Sequence, residues 1–475
     1  MIERDDLYTD FLHLEEKLGL FDVKVDGTRF WERLRFPVYR ALLERGLEGR
    51  RPKTEEMGGL RKLRRFVTSI FKLNKNILLS PRSDILFVCS SRRLLEEDGR
   101  WWDIYTDPII DGFESPPMAV ETHFSNIHYG PAKTPRLYYL DFIEFLTFLK
   151  RSLRIANVRF TKEETDLLRE IRKEILTTFR VELDIESMTR RILEDRRARL
   201  PIFTRMLKRV RPKVVVLAQG YAWEDLIEAC KFLGIASVEL QHGLISPNDI
   251  AYSFEGENRT KETFADYLIV WGNHWKTITE WPLREDHVVS AGFPYLENKR
   301  NSYVKTVKRK QILFISQETT GKVLSRFAVE LSKVDNLDHE IIYKLHPRER
   351  YDWKQRYPWL IGSDVRVVEK KKAVLYELFA ESDAVVGVYS TAIIEGLAFG
   401  LQTYLVTAPG LEHMRTLLET GVVQEVSSAE ELLQHISTSR DLDSFKVDHF
   451  FKSNATANIT SFLIGLVQKK KHLGA

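Results

Sequence analysis

Apolar and polar positions along the chain fall into two textures. Residues 1 to about 80 carry charged and apolar positions at helical spacing with no alternating strand pattern, which predicts a helical accessory segment. Within it, "GGLRKLRRFVTSIFKLNKN" (58–76) sets Leu60, Leu63, Phe66, Val67, Ile70 and Phe71 on one side, against Arg61, Lys62, Arg64 and Arg65. Such a helix either packs on its own domain or lies on an anionic membrane surface.

From residue 84 the texture changes to short β-branched apolar runs that end in small or polar residues, as strands of a parallel sheet do. "DILFVCSS" is the first. Long charged helical segments follow, and then "KVVVLAQG" (213–220), "WEDLIEACKFLG" (223–234) and "ASVELQHG" (236–243) give strand, helix, strand, with "DYLIVWG" (266–272) as a further strand. Parallel neighbours need a crossover of about a dozen residues, so this order predicts a Rossmann-like domain. "VVSAGFPYLENKRNSYVKTVKRK" reads as an interdomain linker, and the pattern restarts with "QILFIS", "EIIYKL", "VRVV", "AVVGVY" and "QTYLVT". The fold expected is α/β, with two doubly wound Rossmann-like domains facing a central cleft. Its divisions are 1–80 (helical accessory segment), 81–295 (first domain, with a helical insertion), 305–440 (second domain) and 441–475 (helical tail).

Composition narrows the function classes little. In 475 residues, 43% are hydrophobic and 29% charged, a globular balance. The net charge of +4 sits on 72 basic and 68 acidic residues, so bulk charge gives no reason to expect a nucleic-acid partner. Two cysteines, Cys89 and Cys230, are too few for a disulfide framework or a four-cysteine zinc site and fit a reducing, cytoplasmic compartment. The N-terminal stretch is acidic where a signal peptide is basic and then apolar. No run approaches the roughly 18 apolar residues of a membrane span, so membrane contact is expected to be peripheral, through 58–76.

In open α/β sheets, ligands bind beyond the carboxyl ends of the strands. "YKLHPRER" places Lys344, His346, Pro347 and Arg348 there, an imidazole and a guanidinium suited to phosphate oxygens. "VYSTAIIEGLAFG" places Ser390 and Thr391 at a helix start, where free N–H groups favour an anion, with Glu395 one turn on to accept from ribose hydroxyls. In the first domain Gln241, His242 and Gly243 end one strand and Gln219 and Gly220 another. Near them Glu224 and Asp225 are either bases for an acceptor hydroxyl or first-turn acids that stabilise their helix. "SSRRLLEEDGRWWDIYTDP" adds Arg92 and Asp98 as cleft candidates. No "HExxH", carboxylate cage, "GxGxxG" or "GxxxxGK[ST]" occurs, so no metal or resident cofactor is expected.

The strand end "KLHPRE", the later "STAIIEGLAFG", "LQHG" and "DYLIVWGNHWK" together resemble the GT-B glycosyltransferases of surface polysaccharides. Among these they are most similar to the polysialyltransferase, KDO transferase and CDP-glycerol glycerophosphotransferase group, over roughly residues 210 to 435. The resemblance implies a metal-independent transfer of a sugar from a nucleotide-activated donor, often a cytidine nucleotide, to a hydroxyl of a surface glycan or lipid-linked acceptor. It implies donor binding by His346, Pro347, Ser390, Thr391 and Glu395, and an acidic base for which Asp98 in "EEDG" is the nearest match. Two other expectations stand beside it: a nucleotide-sugar 2-epimerase, and a non-catalytic scaffold of a polysaccharide assembly complex.

Overall fold

Two parallel sheets carry the chain in the structure, a computed structural model that describes residues 4–46, 75–90, 93–123, 127–256, 259–369, 375–438 and 447–473. Arg92 and residues 58–74 of the basic segment lie outside the described residues.

The first domain contributes strands β1 (Ile85–Val88), β2 (Arg93–Leu95), β3 (Trp101–Asp103), β4 (Met118–Glu121), β5 (Leu137–Tyr139), β6 (Val214–Leu217), β7 (Ala236–Leu240), β8 (Tyr267–Val270) and β9 (Val288–Ser290). Seven of them form a sheet in the order β5-β4-β1-β6-β7-β8-β9, parallel throughout. The other two, β2 and β3, make an antiparallel hairpin beyond the end of β1. "ILFV" and "VVVL" are buried at every position because cores form on both faces of the sheet, the condition that turns alternation into a continuous apolar run.

The second domain has β10 (Gln311–Ile315), β11 (Glu340–Lys344), β12 (Val365–Val368), β13 (Ala384–Gly387), β14 (Gln402–Val406) and β15 (Val423–Val426), in the order β12-β11-β10-β13-β14-β15 and again parallel. Two Rossmann-like parallel-sheet domains are therefore present, as expected. One continuous core joins them: Tyr252, Trp271 and Phe293 of the first pack with Ile315, Ile393 and Leu405 of the second.

Helices α1 (Arg4–Lys17) and α2 (Trp31–Gly46) do not stand apart. Their apolar faces meet the helical insertion of the first domain, whose helices are α3 (Asp141–Ser152), α4 (Lys162–Phe179) and α5 (Ile185–Val210), with Phe11, Trp31, Ile171 and Phe179 in one core. The start of α4 is a capping box: Thr161 accepts from the Glu164 N–H, and Glu164 accepts from the Thr161 N–H. Arg35 of α2 is buried and forked on Glu15 of α1, and it also donates to the carbonyls of Ile250 and Ser253. The helical pair thus holds the loop that follows β7.

One stretch differs from its sequence reading. The expected linker is ordered structure: β9 closes the first sheet and helix α6 (Pro294–Ser302) follows it. Its proline sits in the first turn, where a missing N–H costs nothing. The C-terminal helix α7 (Ala455–Leu473) returns to the first domain, burying Ile459, Leu463 and Val467 with Phe87 and Val216.

Candidate functional site

The carboxyl ends of both sheets and the N-terminal helices enclose a cleft of about 630 Å³. From the first domain it takes Gly243, Leu244, Ser246 and Asp249, all just after β7. The second domain gives Gln317 and Thr319 after β10, Tyr389, Ser390 and Thr391 after β13, and His413 after β14. Tyr8, Phe36, Tyr39 and Arg40 of α1 and α2 complete the wall, a contribution that the sequence did not reveal.

Thr391 and the Gly243 turn meet across the domains. The Thr391 Oγ1 accepts from the Leu244 N–H at 3.1 Å, and Ser246 Oγ lies 3.3 Å from His413 Nδ1. Ser390 caps the helix Thr391–Leu397 through the Ala392 N–H. The loop before it is braced by Gln317, whose amide spans the Tyr389 N–H (3.2 Å) and carbonyl (2.7 Å). Tyr389 also needs Gly410: φ there is +102°, and a Cβ would fall 2.1 Å from the tyrosine ring.

His242 stands at the end of β7, its carbonyl accepting from the Tyr105 hydroxyl at 2.6 Å. Its ring lies between two more tyrosines, with Nε2 3.3 Å from the Tyr221 hydroxyl and Nδ1 3.4 Å from that of Tyr252. The Tyr252 hydroxyl donates to Glu239 Oε1 at 2.7 Å, and the same oxygen accepts from the Gly220 N–H at 2.8 Å. Tyr252 has one proton and gives it to Glu239, so its oxygen accepts from His242 Nδ1–H. Nε2 is then left with its lone pair, the tautomer of a proton acceptor. Burial pushes the Glu239 carboxyl up, and burial with the facing Glu239 raises Tyr252 well above its usual value, so the tyrosine stays a protonated donor.

The sequence candidates near His242 divide. Gly220 is required where it is, since a Cβ would come within 2.2 Å of Glu239 Oε2. Gln219 is half-buried at the start of the same turn. Gln241 is buried and braces the strand ends, accepting from the Trp271 N–H and donating to the Gly243 carbonyl. Glu224 and Asp225 are not brought to His242. Glu224 pairs with Lys261 at 2.6 Å, and Asp225 with Arg33 of α2 at 2.6 Å, so one ties the segment after β7 and the other the helical layer. Burial raises the Asp225 carboxyl and Arg33 opposes that rise. Asp98 is at the exposed tip of the β2–β3 hairpin, where it accepts from the Arg100 N–H and guanidinium and from the Trp102 indole. The Arg100 N–H above all lowers its pKa, which weakens it as a base. The carboxylate beside the histidine is Glu239, inside the strand, and its signal was an acid in an otherwise apolar run.

The "HPR" turn follows β11, one strand beyond β10. His346 is half-buried and its Nδ1 accepts from the Arg348 N–H at 3.3 Å, so Nε2 carries the hydrogen. Burial lowers its pKa and favours this neutral donor. Arg348 is 74% exposed in its side chain and 3.3 Å from Glu318, Pro347 is exposed and Lys344 is buried. None of the four lines the cavity itself. Glu349, fully buried, fixes the turn by accepting from the His346 N–H (2.7 Å), Ser316 Oγ (3.0 Å) and the Tyr357 hydroxyl (2.6 Å). Glu395 does not face the cleft: it is 4% exposed and accepts from the Tyr376 hydroxyl at 2.7 Å in the core between the domains.

Among the described residues one group has ligand types close enough for a cation. His123, Asp141 and Glu144 lie at the ends of β4 and β5, with their ligand atoms within 4.8 Å of one another. It is not part of the cleft wall, and His128 Nε2 already lies 2.9 Å from Asp141 Oδ2.

No family model matches the chain, and no curated protein matches it either. Among solved structures it is similar to the UDP-GlcNAc 2-epimerase of Methanocaldococcus jannaschii, at 12% identity over 80% of this chain and 99% of that one, with a TM-score of 0.49. It is also similar to the wall teichoic acid polymerase TagF (11%, 87% and 99%, 0.42) and to a glycosyltransferase from Rickettsia africae (13%, 83% and 98%, 0.38). Likeness at this level does not separate an epimerase from a transferase, and the architecture stands on the chain's own strand order.

Proposed function

We propose that the protein is a GT-B-type glycosyltransferase that moves a sugar from a nucleotide-activated donor to a hydroxyl of a glycan or lipid-linked acceptor. The observation that carries this reading is the opposition, across one cleft, of Ser390 and Thr391 on the second domain to Gly243 and Leu244, the residues that follow His242, on the first. The donor phosphate lies against the Ser390 and Thr391 hydroxyls, with His346 Nε2–H and Arg348 supplying further donors from the end of β11, two strands from β13. These donors neutralise charge on the departing nucleotide, which is electrostatic stabilisation of the leaving group. His242 Nε2 takes the acceptor proton, with Glu239 and Tyr252 holding its tautomer.

The test is release of free nucleotide from a panel of CMP-, CDP-, UDP- and GDP-sugars, with and without lipid-linked glycan acceptors. Acceptor-dependent release that survives chelator supports the reading. Interconversion of the sugar without an acceptor identifies an epimerase instead, binding with no turnover leaves a scaffold, and chelator-sensitive release overturns the metal-free mechanism.

A further inference from the structure

The first domain exposes an apolar, basic tip that the cleft does not use. At the end of α3 and in the turn after it, Phe148 is 50% exposed, Leu149 37%, Leu153 60% and Ile155 68%. Exposed large apolar side chains scattered singly are ordinary, but four within eight residues form a patch. Bases surround them: from Phe145 to Lys162 the sequence carries Lys150, Arg151, Arg154, Arg159 and Lys162 and no acid. Arg151 is paired with Asp195 of α5 at 2.8 Å, while Arg154 and Arg159 are exposed.

The tip is also on the side of the sheet where the cleft lies. Helix α3 leaves the carboxyl edge after β5, and its last turn is level with Asp195. Phe203, two turns further along α5 toward β6, meets Trp223 just beyond the carboxyl end of β6, with ring centroids 6.3 Å apart. The end of α3 therefore projects past that edge.

We propose that Phe148 to Arg159 dock the protein on an anionic phospholipid surface, the four apolar side chains entering the interface and the arginines meeting headgroup phosphates. Apolar side chains beside the exposed cations Arg154 and Arg159, with no acid between Phe145 and Lys162, fit that partner, because burial of apolar area and attraction to anionic lipid then act together.

The full chain is sedimented with vesicles of phosphatidylglycerol and phosphatidylcholine in equal parts, and with phosphatidylcholine alone. This readout needs no donor or acceptor, so it fails or succeeds independently of the transfer reaction. Binding is expected only with phosphatidylglycerol, at least tenfold weaker in Leu153→Glu/Ile155→Glu and weakened also in Arg154→Glu/Arg159→Glu, which keeps the apolar side chains. It is expected to be unchanged in Phe232→Glu, an exposed apolar position elsewhere. Three results overturn the proposal: no vesicle binding by the wild type, binding lost through Arg64→Glu/Arg65→Glu but kept in both tip variants, or a dimer in sedimentation velocity that the tip variants dissociate.

Discussion

At the scale of single residues, a hydroxyl with one proton decides the chemistry of His242. Because Tyr252 donates to Glu239, the histidine proton is expected on Nδ1, and the 15N shifts of His242 should report an unprotonated Nε2 facing the Tyr221 hydroxyl. Tyr252→Phe removes that constraint and should give mixed tautomers; an unchanged spectrum would mean that the tyrosine sets nothing. Gly220→Ala drives a Cβ to 2.2 Å from the Glu239 carboxylate, and overpacking of this kind costs about 1–3 kcal/mol in chemical denaturation. Histidine 242 was legible in the sequence because it ends an apolar strand. Glu239 was not, because strand periodicity marks a position as buried without saying which carboxylate finds a partner there. Glu224 and Asp225 were legible as first-turn acids, but their partners Arg33 and Lys261 come from distant segments that spacing does not connect.

At the scale of elements, most strands that apolar runs predicted are internal, with β12 at an edge, and the missed ones include the buried β4 as well as short or half-exposed strands. "VQEV" of β15 has exposed and half-buried positions in its middle, and "VVS" of β9 is a three-residue edge strand inside what reads as a polar linker. Glu349 shows how an element end is built: it ties the β10 end, the β11 turn and Tyr357 together. Glu349→Ala strips a buried acceptor from three donors and should cost about 2–4 kcal/mol while loosening the His346 turn. A second element-scale effect follows from His128, which bridges Glu121 Oε1 and Asp141 Oδ2 at 2.9 Å each beside the stacked Tyr139 ring. Burial opposes its charge, but the bonds to Asp141 and Glu121 prevail and lift its pKa to about 9. A cation held above its unfolded value of about 6.5 contributes stability that is complete below that pH and is lost as pH rises through 9, of order 3 kcal/mol. Urea unfolding of wild type against His128→Gln between pH 6 and 10 should show this loss in the wild type alone.

At the scale of the whole molecule, the two-domain plan followed from runs of strand and helix, while the shape of the cleft did not. Its third wall comes from α1 and α2, packed through Phe11 and Trp31 on the insertion and through Arg35 on the loop after β7. The Arg35 contacts join residues more than 200 positions apart, beyond the reach of local patterning. The shared core beneath the cleft couples the domains and holds Thr391 of the second against the Gly243–Leu244 turn of the first. The most direct test of that arrangement is calorimetric titration of cytidine, uridine and guanosine diphosphates and CMP into the wild type, Ser390→Ala/Thr391→Val, His346→Ala and His242→Ala. One nucleotide should bind the wild type and His242→Ala alike, and bind the Ser390/Thr391 and His346 variants at least tenfold more weakly. Binding by none of them, or equal binding by all four proteins, would contradict a donor site in this cleft.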